Sequence, residues 1–96
     1  MEELRRKRGR LLAEPYGRWE EEAKELIQEK MNVDRIGYKQ LSRMLEQLDI
    51  YESPDQLNRK VNRKRFSAAF LIACLYALGV KSVTLPQLEQ EQRLKG

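Results

Sequence analysis

The chain contains no histidine and a single cysteine, Cys74, in 96 residues. Without imidazole the commonest general base and metal ligand is missing, and one thiol supplies neither a Cys/His cluster for zinc nor an internal disulfide. Ser42, Ser53, Ser67 and Ser82 have no histidine to activate them, and neither a GxGxxG nor a P-loop pattern occurs. These absences predict a protein that is not an enzyme and takes no metal or cofactor. Long apolar runs are also missing. The longest, Phe66 to Val80, is interrupted by Ser67 and Gly79 and falls short of the roughly 20 residues that cross a bilayer, which predicts a core helix rather than a membrane span. The lone cysteine, and a charged start at Glu2 and Glu3 with no apolar leader, predict the cytosol.

Charge is abundant. Lysine and arginine number 19 against 15 acids, a net +4, beside 41% apolar residues. A chain of this length buries roughly 60 to 65% of its unfolded surface, enough for one modest core and one small soluble domain. Met1 to Lys30 balances eight basic with eight acidic residues, and Met31 to Ile50 balances three with three. Tyr51 to Val80 carries Arg59, Lys60, Arg63, Lys64 and Arg65 against Glu52 and Asp55, hence three of the four net charges. A second basic cluster, Arg5, Arg6, Lys7, Arg8 and Arg10, lies in the first ten residues. Glu20, Glu21, Glu22, Glu25 and Glu29 recur around apolar Trp19, Ala23, Leu26 and Ile27, and so read as a solvated helix face rather than a catalytic pair.

Apolar spacing predicts an all-α fold. Trp19, Ala23, Leu26, Ile27 and Met31 follow a 3.6-residue period, with Pro15 suited to a first helical turn and acids massed early, where the helix dipole favours them. Asn32 to Gly37 reads as a polar connection, and Tyr38, Leu41, Met44, Leu45 and Leu48 mark a second helix. Ser53-Pro54-Asp55-Gln56 then combines an N-cap, a proline at the first helical position and a capping-box glutamine. The short helix that opens there buries only Leu57 and Val61 and ends near Lys64. Ser67 can cap a fourth helix, Ala68 to Leu78, whose Phe70, Leu71, Cys74, Leu75 and Leu78 make it apolar nearly all round, with Gly79 as its stop. That helix is expected at the centre of the core.

With Leu57 and Val61 inward, the 100° turn per residue points Asp55, Arg59, Asn62 and Arg63 outward, flanked by Gln56, Asn58 and Lys60. Any short surface helix is polar, but this face is cationic and amide-rich with one acid. Arginine can fork onto guanine, and asparagine or glutamine onto adenine, in a major groove. Gln56, Asn58, Arg59, Asn62 and Arg63 are therefore the candidate base readers, and Lys60, Lys64 and Arg65 the candidate phosphate contacts. Lys39, Gln40 and Arg43, in the first turns of the second helix, suit phosphates that position rather than specify.

The residues Leu41 to Leu48, then Leu57-Asn58-Arg59-Lys60-Val61-Asn62-Arg63, then Phe66-Ser67-Ala68-Ala69-Phe70 through Val80, resemble the lambda-repressor-like (Cro/CI, or XRE-type) helix-turn-helix domains. They are similar in particular to an uncharacterised family of small bacterial proteins with an N-x-x-K-[IV]-x-R-x-x-F-S-A-A-F signature. This chain meets that signature from Lys60 to Phe70, with its asparagine, Asn58, one place closer. The resemblance covers about Trp19 to Val83. It implies a compact bundle of four to five helices in which Pro54 to Arg63 is the recognition helix, and transcriptional control by a homodimer. Two departures stand out. The link Asp49 to Glu52 is longer than the usual tight turn, and Lys64 occupies the place of a glycine, at a cost on the order of 1 kcal/mol if the backbone there is left-handed.

Three regions follow: 1–14, 15–83 as the helix-turn-helix domain, and 84–96. In the first, Arg5, Arg6, Lys7, Arg8 and Arg10 form either an arm entering the minor groove or, with Leu4, Leu11 and Leu12, a helix with a solvated basic face. In the last, Leu85, Leu88 and Leu94 around Pro86 suit a tail or a short helix. Tyr76 is expected in the core or on a dimer surface, and Tyr51 beside a phosphate. The functional expectation is a sequence-specific duplex-DNA-binding regulator, a homodimer of the cytoplasm and nucleoid. The alternative is a helical module presenting the same basic face to RNA or an acidic protein.

Overall fold

The computed structural model of the chain describes residues 15–86. They form four helices and no strand: α1 (Gly17–Asp34), α2 (Tyr38–Glu46), α3 (Pro54–Arg63) and α4 (Ala68–Ala77). Helices α1 and α2 each lie against both α3 and α4. The core at their meeting point draws Ile27 and Met31 from α1, Leu41 and Leu45 from α2, Leu57 and Val61 from α3, and Phe70 and Cys74 from α4, with Leu78 just beyond. Every one of these contributing pairs is spaced four residues apart, the interval that stacks side chains on one helix face.

The first helix is longer than its apolar period suggested. Pro15 and Tyr16 form a turn ahead of it rather than its first turn, and Asn32 to Asp34, expected in a connection, continue it. The chain leaves α1 at Arg35, in the left-handed region at φ 58°. There Arg35 N donates to Asn32 O (3.2 Å) and Ile36 N to Met31 O (2.8 Å), the paired bonds of a Schellman motif, and Ile36 packs on the core. The same device recurs twice. After α2, Asp49 is left-handed and Ile50 N donates to Leu45 O (3.0 Å); after α4, Gly79 at φ 83° lets Val80 N donate to Leu75 O (2.9 Å).

Helix α3 begins where its start signal lies. Ser53 Oγ accepts from Gln56 N (3.1 Å), and Gln56 Oε1 accepts from Ser53 N (2.8 Å), a complete capping box with Pro54 at the first position. The preceding loop is tied down by Ser42, a buried polar residue of α2 whose Oγ donates to Glu52 O at 2.7 Å. Ser67 caps α4 by accepting from Phe70 N at 3.0 Å.

Helix α4 is not central on all sides, contrary to its composition. Phe70, Cys74 and Leu78 are buried, but Ile72 and Tyr76 on the opposite side are 66% and 69% exposed, so Tyr76 is not a core residue. Trp19 of α1 is likewise 47% exposed. Apolar composition all round a helix does not bury all of it when, among the described residues, α1 and α2 are the helices that pack along it. Beyond Val80 the chain runs without helix from Lys81 to Pro86, which includes Leu85. The expectations placed on 1–14, and on Leu88 and Leu94, lie outside the described residues.

Two measurements test this account. Nothing lies within 4 Å of a Cβ added at Gly79, so Gly79→Ala should lose about 1 kcal/mol to backbone conformation alone. Arg35→Gly should gain roughly 0.5 to 1 kcal/mol, and opposite shifts of the urea midpoint will show both. Burial pushes the Cys74 thiol up to about 12, with Glu52 adding to the shift. Its alkylation at pH 8 should therefore proceed only as fast as the protein opens, and should become rapid in denaturant.

Candidate nucleic-acid interface

The outward face of α3 is set by the burial of Leu57 and Val61, both fully removed from solvent. Asp55, Gln56, Asn58, Arg59, Asn62 and Arg63 are all exposed, as the helical phase requires. Their side chains are not equally available. Gln56 spends its carbonyl oxygen on the capping box. Asn62 Nδ2 donates to Asn58 Oδ1 (2.6 Å) and Asn58 O (2.8 Å), so the two asparagines are coupled along the helix. Gln28 of α1 reaches the same group, its Nε2 lying 3.5 Å from Asn62 Oδ1 and 3.3 Å from the Tyr38 hydroxyl. Arg59 and Arg63 make no side-chain hydrogen bond or ion pair among the described residues.

The other cations of the cluster are each held by an acid. Lys60 turns inward, its Nζ donating to Glu52 Oε2 and standing 4.9 Å from the centroid of the Phe70 ring. Lys64 Nζ pairs with Glu21 Oε1 at 2.8 Å, and Arg65 Nε with Glu20 Oε2 at 3.3 Å. Lys64 is left-handed at φ 66°, the conformation that favours glycine, and still contributes its ion pair. The pair with Lys64 holds the Glu21 carboxyl below its ordinary range.

On α2, Lys39, Gln40 and Arg43 are exposed, Arg43 in the last turn of this nine-residue helix rather than among its opening turns, and with Met44, Gln47, Leu48 and Tyr76 they line an open groove towards the end of α4. Their side chains carry no hydrogen bond or ion pair among the described residues. The Tyr38 and Asn62 ends of the Gln28 contacts place the start of α2 near the second half of α3. Tyr51 is exposed, and its hydroxyl donates to Asp49 Oδ1 at 3.4 Å. Arg5, Arg6, Lys7, Arg8 and Arg10 lie outside the described residues. Sequence reasoning missed the partners Glu20, Glu21, Gln28 and Glu52. Glu20 and Glu21 are more than 40 residues from the cations they meet, and no local spacing connects them.

Among the described residues no group of three or more His, Cys, Asp or Glu side chains could hold a metal ion. No helix there is long and apolar enough to cross a membrane. What the geometry defines is a small all-helical domain that displays one short cationic, amide-bearing helix. Residues 19–83 match the family described as Domain of unknown function (DUF6471), and the chain belongs to it. No curated protein matches the chain. No solved structure matches it either.

Because Lys64 is the principal cause of the Glu21 shift, Lys64→Ala should return Glu21 towards the ordinary carboxylate range. Carboxyl chemical shifts followed against pH will show it. The sign for stability follows: a depressed carboxylate stabilises the fold above its unfolded pKa, and this contribution fades as pH falls through the folded value. Glu21→Gln should therefore flatten the loss of stability on acidification.

Proposed function

We propose that the protein is a sequence-specific duplex-DNA-binding regulator of the helix-turn-helix type, acting as a homodimer in the bacterial cytoplasm. The observation that carries this reading is the outer face of α3, where Arg59 and Arg63 are exposed and unpaired among the described residues, beside the coupled amides of Asn58 and Asn62. Arginine forks onto O6 and N7 of guanine, and a carboxamide onto N6 and N7 of adenine. Asn58 keeps its own Nδ2 and a second lone pair on Oδ1 for such a fork and is held in place by Asn62, whose two N–H donors both go to Asn58, so it enters a groove with less freedom to lose. Lys39 and Arg43, open on α2 in the groove towards the end of α4, supply phosphate contacts that set the register. Lys60 contributes by positioning: its bond to Glu52 and its contact with Phe70 hold α3 against the loop before it and against α4.

The test is selection from a random duplex pool at about 150 mM salt, followed by sequencing. An enriched inverted repeat, with half-sites about one helical turn or roughly 34 Å apart, supports a dimeric reader. Retention without enrichment assigns a backbone-binding role. No retention rejects DNA and turns attention to RNA or an acidic protein. On the selected site, Arg59→Ala should cost roughly 1 to 3 kcal/mol and relax the sequence preference, whereas Lys64→Ala should weaken specific and random DNA alike. Competitive binding isotherms will separate the two patterns.

A further inference from the structure

Where the first turn of α1 meets the end of α3, Gly17, Arg18, Glu20, Arg63, Lys64 and Arg65 line one concave surface. Four of these side chains are cationic. Two carboxylates lie across them, Glu20 on Arg65 and Glu21 on Lys64, and both ion pairs are solvent-accessible. The acids sit in the opening turns of α1, and the cations follow α3 directly because the left-handed backbone at Lys64 ends that helix there.

We propose that this cleft is a backbone-phosphate site of duplex DNA, in which a phosphodiester displaces Glu20 and Glu21 from Arg65 and Lys64. The inference rests on the DNA-binding reading and adds Arg18, on α1, to the contact surface. In the free protein the two carboxylates act as stand-in anions that hold the cations in place. Accessible ion pairs of this kind are weak and easily exchanged. A duplex phosphate has an advantage over them, because neutralising it releases condensed counterions from the DNA, whereas a glutamate has no such atmosphere to release. Arginine also meets phosphate oxygens with a fork of parallel N–H donors. The exchange is ionic: no covalent bond changes, and the freed carboxylates return to solvent. Glu20 and Glu21 thereby set a threshold. An isolated anion competes poorly with them, and a polyanion docked through α3 competes well, which holds non-specific attachment down.

The experiment compares two full-length variants that lose the same charge. Glu20→Gln/Glu21→Gln removes the acids of the cleft. Glu25→Gln/Glu29→Gln removes two acids of α1 that form no ion pair among the described residues. On a random-sequence duplex at about 150 mM salt, the cleft variant should bind roughly three- to thirtyfold tighter than the unmodified protein, and the control variant within about twofold. Equal tightening in both variants, or none in the first, overturns the proposal. Circular dichroism verifies that both are folded. The second measurement titrates inorganic phosphate and follows backbone amide shifts. Saturable shifts confined to Gly17, Arg18, Lys64 and Arg65, at lower phosphate in the cleft variant, support the site. Shifts spread evenly over all cationic surfaces overturn it. If no protein binds duplex but the confined shifts appear, the DNA reading fails while the cleft stands as a phosphate site.

Discussion

Helix α3 is held to the rest of the protein by two fully buried side chains, Leu57 and Val61, and their position on a ten-residue helix determines what it shows to solvent. Burying such a side chain contributes about 1.5 to 3 kcal/mol, so any rotation of the helix that exposed either would be opposed by an energy comparable to a large part of a small domain's stability. The two ends reinforce the same phase. The capping box at Ser53 and Gln56 sets the entry, and Ser42 anchors the loop before it through Glu52 O. Lys60, the cation nearest the core, is drawn to Glu52 and Phe70 and adds a polar tie to the apolar one.

This phase divides the cations into two populations. Arg59 and Arg63 on α3, with Lys39 and Arg43 on α2, have no ionic partner among the described residues, whereas Lys60, Lys64 and Arg65 each meet a carboxylate. A cluster that reads along the chain as one basic run is therefore two sets of side chains with different chemistry, which meet where Arg63 lines the cleft beside Lys64 and Arg65. One can take an incoming acceptor at once, and the other must first give up its acid. Exposed ion pairs add little to stability, so the division shapes the chemistry of the surface more than the fold.

Helix ends show a related economy. Three of the four helices hand the chain on through a Schellman motif or a left-handed residue that is not glycine, at Arg35, Asp49 and Lys64, each at a cost on the order of 1 kcal/mol. Glycine takes this position only after α4. At Lys64 the residue that bears the cost also bridges to Glu21, which joins α3 to α1 across the cleft. At Arg35 and Asp49 the following isoleucines, Ile36 and Ile50, pack on the core and offset the strain.

Local signals carried much of this structure. Helical spacing, the Ser53 and Ser67 caps, the two-residue anchor of α3 and the exposed face opposite it are all consequences of neighbours within four residues, and that is the range over which sequence pattern is physically informative. The end of α1 was not legible in this way, because Asn32 to Asp34 are poor helix formers kept helical by the Arg35 cap and the packing of Ile36. Nor was the exposure of Ile72 and Tyr76, since composition states that a helix face is apolar but not whether another element covers it. The pairing of charges was decided by tertiary structure alone. Glu20 and Glu21 belong to the solvated face of α1 by every local rule, and they meet Arg65 and Lys64 only because the packing of Ile27 and Val61 in one core brings the two helices together. The sequence by itself determined which residues α3 displays, through its own period. The partners of those residues depend on contacts between helices far apart in the chain, which no periodicity encodes.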